Sequence, residues 1–224
     1  VTFEHSGDVG GIAAHSRNGT IENVSVTGTV RGTTVGGIAG YANETSIRDV
    51  TVSGRVEGET AGGIAGRTTG SQIARVRMTA RVKGDRPGHV VGDTAGGIAG
   101  VVNKTAVTEA VVGGLVTGTA TGAVAGMADT EYRKLLTAVY YDRNRTGQTS
   151  ATDSEDESVI GLPTAEMIGP DAETGMPELD FEERWVPTDG YPALRTNGDG
   201  EFRETVRVRS AELADRVVVS GNAT

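Results

Sequence analysis

The block Gly-Gly-Ile-Ala-Gly returns through the first half of the chain at a near-constant interval. That return limits the fold more than any other feature. Copies stand at Gly10-Gly11-Ile12-Ala13, Gly36-Gly37-Ile38-Ala39-Gly40, Gly62-Gly63-Ile64-Ala65-Gly66 and Gly96-Gly97-Ile98-Ala99-Gly100, with a weaker one at Gly122-Ala123-Val124-Ala125-Gly126. The leading glycines are 26, 26, 34 and 26 residues apart, and the long interval carries eight extra residues near Asp85-Arg86-Pro87-Gly88. A fixed period of this size means a solenoid, a propeller or an array.

A second signature follows each block. It reads Ile21, Val24, Val26, Gly28, Val30, then Ile47, Val50, Val52, Gly54, Val56, then Ile73, Val76, Met78, Ala80, Val82, then Val107, Ala110, Val112, Gly114, Val116. From the second member on the spacing is two, which predicts a strand with one buried face. The three-residue step before it predicts a corner. The small fourth member lets neighbouring backbones approach or bend. The glycine block is too Gly-rich for a helix, since each Gly costs about 1 kcal/mol there, so it is expected to be a strand that buries Ile38 and its equivalents, with glycines at the corners. The Leu-x-x-Leu-x-Leu frame of leucine-rich repeats is absent, and a four-stranded propeller blade needs about 40–45 residues. One coil of a parallel β-solenoid fits the unit. The prediction is an all-β chain with about five such coils, its core thin because only 4% of residues are aromatic.

These residues resemble the GLUG-repeat family, whose unit is a Gly-Gly-(Leu/Ile)-(Val/Ala)-Gly block, a turn, and an Ile-x-Asn-x-x-Val-x-Gly-like strand. Gly36 to Val56 follows that pattern closely. Val139-Tyr140-Tyr141-Asp142 with Thr146-Gly147-Gln148 is similar to the element that ends many such arrays, and Gly161-Leu162-Pro163-Thr164-Ala165-Glu166-Met167 to the one that follows it. Phe181, Trp185 and Gly190-Tyr191-Pro192-Ala193-Leu194 resemble the closing element. Tyr141 stands where Trp is usual and Pro163 where Thr is usual. The resemblance implies a large, secreted or surface-anchored protein, adhesin-like chains among them, and transfers no catalytic residue.

Three segments result: solenoid repeats over 1–128, an aromatic- and Pro-rich, loop-rich capping segment over 129–195, and a C-terminal strand segment over 196–224. The capping segment is expected to cover strand edges that a solenoid leaves unpaired. Residues 205–209 and 216–220 read as two more strands, the start of a further β-domain or strands that pair with another copy of the chain. The first coil has no comparable cap, so its edge is expected to be open, either because the chain is cut from a longer one or because another subunit adds a strand there.

Charge and sequons place the chain outside the cell. Asp plus Glu number 30 against 21 Lys plus Arg, a formal net charge of −9, and a polyanion would be repelled, so nucleic acid is not an expected partner. Only Lys83, Lys104 and Lys134 are lysines. An acidic, Lys-poor chain resembles proteins of salt-loving archaea, where carboxylates maintain solubility in high salt. Asn18, Asn23, Asn43, Asn103, Asn144 and Asn222 all sit in N-x-Ser/Thr sequons, leaving only Asn197 outside one. Such sequons predict surface loops of an exported, glycosylated chain, although repeat duplication accounts for the pairing of Asn43 with Asn103. No apolar run approaches the ~18 residues of a membrane helix, and no secretory signal is expected from Val1 onward. The chain has no Cys, which removes disulfide and Cys-based metal or nucleophile chemistry.

The search for chemistry yields little. His5, His15 and His89 lack the His-x-x-x-His spacing of a zinc site. The glycine blocks lack the Gly-Lys-Ser/Thr ending of a phosphate loop. Asp153-Ser154-Glu155-Asp156-Glu157 and Asn197-Gly198-Asp199-Gly200-Glu201 offer oxygen ligands for calcium, but they read more simply as a solvated run and a turn. No catalytic, cofactor or metal residue is assigned. The main alternative is a polysaccharide-processing enzyme or carbohydrate-binding module on a β-helix, and glycosidic cleavage needs two facing carboxylates. At matching positions Glu22 meets Arg48 and Ala74, and Asn23 meets Asp49 and Arg75, so no such pair forms. The expected role is a non-enzymatic module of a cell-surface glycoprotein: a rigid spacer, an adhesive surface for glycans, or a building block that joins other surface domains or copies of itself into a filament.

Overall fold

A computed structural model describes residues 2–4, 7–84, 93–129, 136–152 and 159–195. The insertion at 85–88, the acidic run at 153–157, the turn at 197–201, the strands expected at 205–209 and 216–220, and His5, His89 and Asn222 lie outside the described residues.

The chain is mostly β. It begins with β1 (Thr2–Glu4), β2 (Asp8–Gly10), β3 (Ala13–Arg17), β4 (Thr20–Gly36), β5 (Ala39–Asn43), β6 (Ser46–Gly62) and β7 (Ala65–Thr69). It continues with β8 (Gln72–Met78), β9 (Arg81–Gly84), β10 (Thr94–Gly96), β11 (Ala99–Asn103), β12 (Ala106–Val112) and β13 (Val116–Gly118). Then come β14 (Ala120–Gly122), β15 (Ala125–Ala128), β16 (Leu136–Asp142), the helical turn α1 (Arg143–Thr146) and β17 (Val159–Leu162). One sheet follows the order β1-β4-β6-β8-β12-β16-β17 with β2, β9, β10, β13 and β14 attached, and a second runs β15-β11-β7-β5-β3. The pairings within both are parallel and step by one repeat, as in Ile21↔Ile47, Val24↔Val50 and Val26↔Val52, then Ile47↔Ile73, Val50↔Val76 and Val52↔Met78. This is the architecture of a parallel β-solenoid.

Stacking equal positions turns the sequence signature into columns. Ile21, Ile47, Ile73 and Val107 are all buried, as are Val24, Val50, Val76 and Ala110, and Val30, Val56, Val82 and Val116. Each fully buried aliphatic side chain contributes about 1.5–3 kcal/mol relative to exposure. Val26 and Ile12, in the first coil, are only partly buried, while Val52 and Ile38 one coil on are covered on both sides.

Two local readings change. The glycines of the block stand at a corner as expected, but Ile38 lies in the bend and not in a strand: β4 ends at Gly36, the chain bends at Gly37-Ile38 and resumes at Ala39. Ile38, Ile64 and Ile98 still point inward and are fully buried. The corner expected after Ile21 is instead a one-residue bend inside a continuous strand. Asn23, Asp49, Arg75, Glu109 and Ala138 repeat it with φ of 56°, 56°, 51°, 50° and 52°. Each adds one residue out of step with the period-two pattern, which is why the apolar spacing there is three.

Among the described residues of 129–195, the first ones extend the stack. β16 pairs with β12 in the repeat register, Val107↔Leu136 and Val112↔Tyr141, and β17 pairs with β16, so the stack continues past residue 128. Residues 163–195 then pack sideways on the outer face of these rungs. Their core joins Met167, Ala172, Met176, Leu179, Phe181, Trp185 and Tyr191 to Val111, Ala138 and Tyr140 of the solenoid wall. The reason lies in the outward column Ser25, Thr51, Arg77, Val111, Tyr140. It is polar in the early coils and apolar in the later ones, and the later ones need a cover. Short helical turns at Thr164–Glu166 and Gly169–Asp171, α2 (Ala172–Gly175) and the antiparallel pair β18 (Trp185–Val186) and β19 (Ala193–Leu194) build that cover. No helix among the described residues is long and apolar enough to cross a membrane.

Candidate functional site

Three polar systems are built on this frame: a buried latch, a corner column of hydroxyls, and charge columns on the outer wall.

The latch centres on Asp142, which is fully buried at the end of β16. One carboxylate oxygen accepts from the Tyr191 hydroxyl at 2.6 Å. The other accepts from the Arg145 backbone N–H at 2.9 Å, capping α1, and from the Thr164 hydroxyl at 3.0 Å. Tyr191 sits beside the Gly113 carbonyl, 3.4 Å away. Burial first, then the hydrogen bond and charge of Asp142, raises the Tyr191 phenol well above its ordinary value, so it stays a donor. Trp185, also fully buried, donates its indole N–H to Glu109 at 3.2 Å. The Gln148 amide reaches the Val116 carbonyl at 2.9 Å. The sequence motifs that end the array are thus the two halves of one joint. Their adjacency was not visible because 49 residues separate Asp142 from Tyr191. The apolar outward pair Val111 and Tyr140 was the signal that a cover docks here.

The hydroxyl column closes the corner between the second sheet and the first. Thr45, Ser71 and Thr105 take equivalent places in successive coils and are buried. Each donates to the carbonyl two residues back, at Asn43, Thr69 and Asn103, over 3.0, 3.1 and 3.1 Å. Each of the later two also accepts from the coil before: the Thr45 N–H reaches Ser71 and the Ser71 N–H reaches Thr105. Replacing Thr105 by Val removes that acceptor and is expected to cost about 1–3 kcal/mol in a denaturant titration, whereas Thr105→Ser retains stability. Equal stability of both variants would refute the column's role.

On the outer wall, equivalent positions alternate in sign. Glu22 pairs with Arg48; Arg31 pairs with Glu57 at 2.7 Å, and Arg55 adds to Glu57 at 3.2 Å. Arg75 grips both oxygens of Asp49 at 2.6 and 2.8 Å. That hydrogen bond, partly offset by burial, raises the Arg75 guanidinium above its usual value, with Glu109 adding to the attraction. Identical charges in a column would repel across the stack, and alternation removes that cost; each exposed pair is worth only about 0–1 kcal/mol by itself.

The sequence-predicted residues fall into place as follows. Asn18 and Asn23 are exposed, with left-handed φ of 49° and 56°. Asn103 and Asn144 are exposed and Asn43 is half-buried. The Asn43 amide donates to the Tyr41 hydroxyl at 3.3 Å, and the Asn144 carbonyl accepts the Thr164 N–H at 3.0 Å. His15 pairs with Asp8 at 2.8 Å and stands edge-on to the Tyr41 ring. Among the described residues no group of three His, Asp or Glu side chains is placed to hold a metal ion.

The family model for the GLUG motif matches residues 5–31 and 32–57. The comparison with curated proteins gives no match.

Proposed function

We propose that this GLUG-repeat chain is a non-enzymatic structural module of an exported surface glycoprotein, serving as a rigid spacer or adhesive wall between neighbouring domains. The observation that carries this reading is the unbroken register of parallel rungs from β4 to β17, latched at the far side by Asp142 and Tyr191. Such a stack resists bending because each coil is hydrogen-bonded to the next along its length. Its outer wall presents Thr, Arg and Glu columns to solvent, a surface suited to glycans or to other domains. An acidic, Lys-poor composition suits work in concentrated salt, and the outward sequons suit export.

Pulling the chain by its termini in molar salt tests the mechanical claim. Coils should be lost singly, each releasing one repeat of 26 residues, or 34 for the long one, and lengthening the tether by about 90–120 Å at ~3.5 Å per residue. Release of the whole solenoid in one low-force step would contradict a load-bearing module built of coils. New reducing ends from a polysaccharide panel would replace the structural reading with an enzymatic one.

A further inference from the structure

The five described sequons are not equivalent, and the structure assigns Asn18 and Asn23 as the N-glycan acceptors among them, because the sequons of Asn43, Asn103 and Asn144 have their hydroxyls committed to the framework. This inference rests on the exported reading and sharpens it. An oligosaccharyl transferase must reach both the Asn amide and the hydroxyl two residues on, since both define the sequon. At Asn43, Asn103 and Asn144 that hydroxyl belongs to Thr45, Thr105 and Thr146, which are 1%, 0% and 0% exposed. All three are spent on backbone carbonyls: Asn43 and Asn103 two residues back, and Asp142, which the Thr146 hydroxyl reaches at 2.6 Å. In two of the three the Asn side chain is engaged as well, with the Tyr41 hydroxyl and with the Thr164 N–H. The hydroxyl there is what the corner and the helical turn require, whatever happens to the Asn, whose place in the coil between Asn43 and Asn103 is taken by Thr69.

Asn18 and Asn23 differ in their hydroxyls. Both side chains are exposed; Ser25 is exposed and Thr20 half-exposed at the start of β4. Their left-handed backbone favours Asn but does not demand it. The positions equivalent to Asn18 carry Glu44, Gly70 and Lys104, and those equivalent to Asn23 carry Asp49, Arg75, Glu109 and Ala138, all with positive φ. In the first coil the Asn identity is therefore left over after the fold has been satisfied. In the transfer, the Asn Nδ2 forms a bond to the sugar anomeric carbon and loses a proton to solvent. The carbon–oxygen bond to the lipid-linked phosphate donor breaks, and the phosphate leaves with the electron pair.

The test is glycosylation of the folded full-length chain by a purified archaeal-type transferase with its lipid-linked oligosaccharide. Occupancy at each site is read by glycopeptide mass spectrometry and normalised to a synthetic peptide of the same sequon. Asn18 and Asn23 should exceed the other three by about tenfold or more, because a buried hydroxyl is reached only through local opening. Occupancy of Asn43, Asn103 or Asn144 within about twofold of Asn18 would overturn the assignment, as would bare Asn18 and Asn23. Thr20→Ala and Ser25→Ala should each abolish transfer at their own site alone; loss at both sites from either change would also overturn it. The exported reading has a separate check: a chain purified from its native source with no glycan at any sequon contradicts export and leaves the folded-chain result standing.

Discussion

Asp142→Ala should release residues 163–195 from the solenoid wall and lower stability by about 3–5 kcal/mol, because a buried carboxylate that takes three hydrogen bonds is worth several neutral ones. The change takes the carboxylate acceptor from the Tyr191 hydroxyl, the Thr164 hydroxyl and the Arg145 N–H together. Trp185 reports the outcome, since it is fully buried in the docked segment: its near-ultraviolet signal should collapse while the far-ultraviolet β signal stays. Tyr191→Phe keeps the ring in place and removes one donor, so its loss should be about 1.5–3 kcal/mol with the tryptophan signal retained. If Asp142→Ala leaves both signal and stability intact, the joint is held by Met167, Phe181 and Trp185 alone and the latch is decoration.

The parts of the fold that the sequence displays are the parts that repeat. Ile21, Val24 and Val26 recur in place because each must cover the same position one coil below, and so the period and spacing report the stack directly. The corner at Gly37-Ile38 was harder to read, since a Gly-rich pentapeptide has no period to show whether it runs straight or turns. Residues 163–195 were harder still. They dock once, through contacts such as Tyr191 to Asp142 and Trp185 to Glu109, and a contact made once leaves no internal pattern. The segment's aromatics and its resemblance to a closing element mark a cap, and the clue to where it docks is local: Val111 and Tyr140 occupy an outward column that is Ser25 and Thr51 in earlier coils. The sequons show why one pattern can carry two meanings. The corner's own need for a hydroxyl at Thr45 and Thr105 writes the same letters as a glycan acceptor, and only burial separates the two.

The glycine that opens each corner is where a single methyl group should do the most damage. A Cβ on Gly62 would lie 1.8 Å from the Ala65 carbonyl oxygen, 2.6 Å from the Ala99 Cα and 2.7 Å from the Gly100 N–H nitrogen. All three are backbone, one in its own coil and two in the next, so no side chain can swing aside. The corner must open and the next coil must move away. Gly62→Ala should therefore cost more than the ~1–3 kcal/mol of ordinary overpacking, and in a stack where each coil leans on its neighbours it should cost the cooperative transition too. Gly70 is the contrast. Its φ is +58°, yet a Cβ there meets only the Glu44 Cγ, at an ordinary 3.5 Å, and Glu44 and Lys104 hold equivalent left-handed positions with side chains of their own. Gly70→Asn should change the stability read from a urea titration little, by about 1 kcal/mol or less. If Gly62→Ala instead unfolds like the parent, coils can separate at a corner without loss, and the hydrogen-bonded runs rather than the glycine corners set the spacing of the stack.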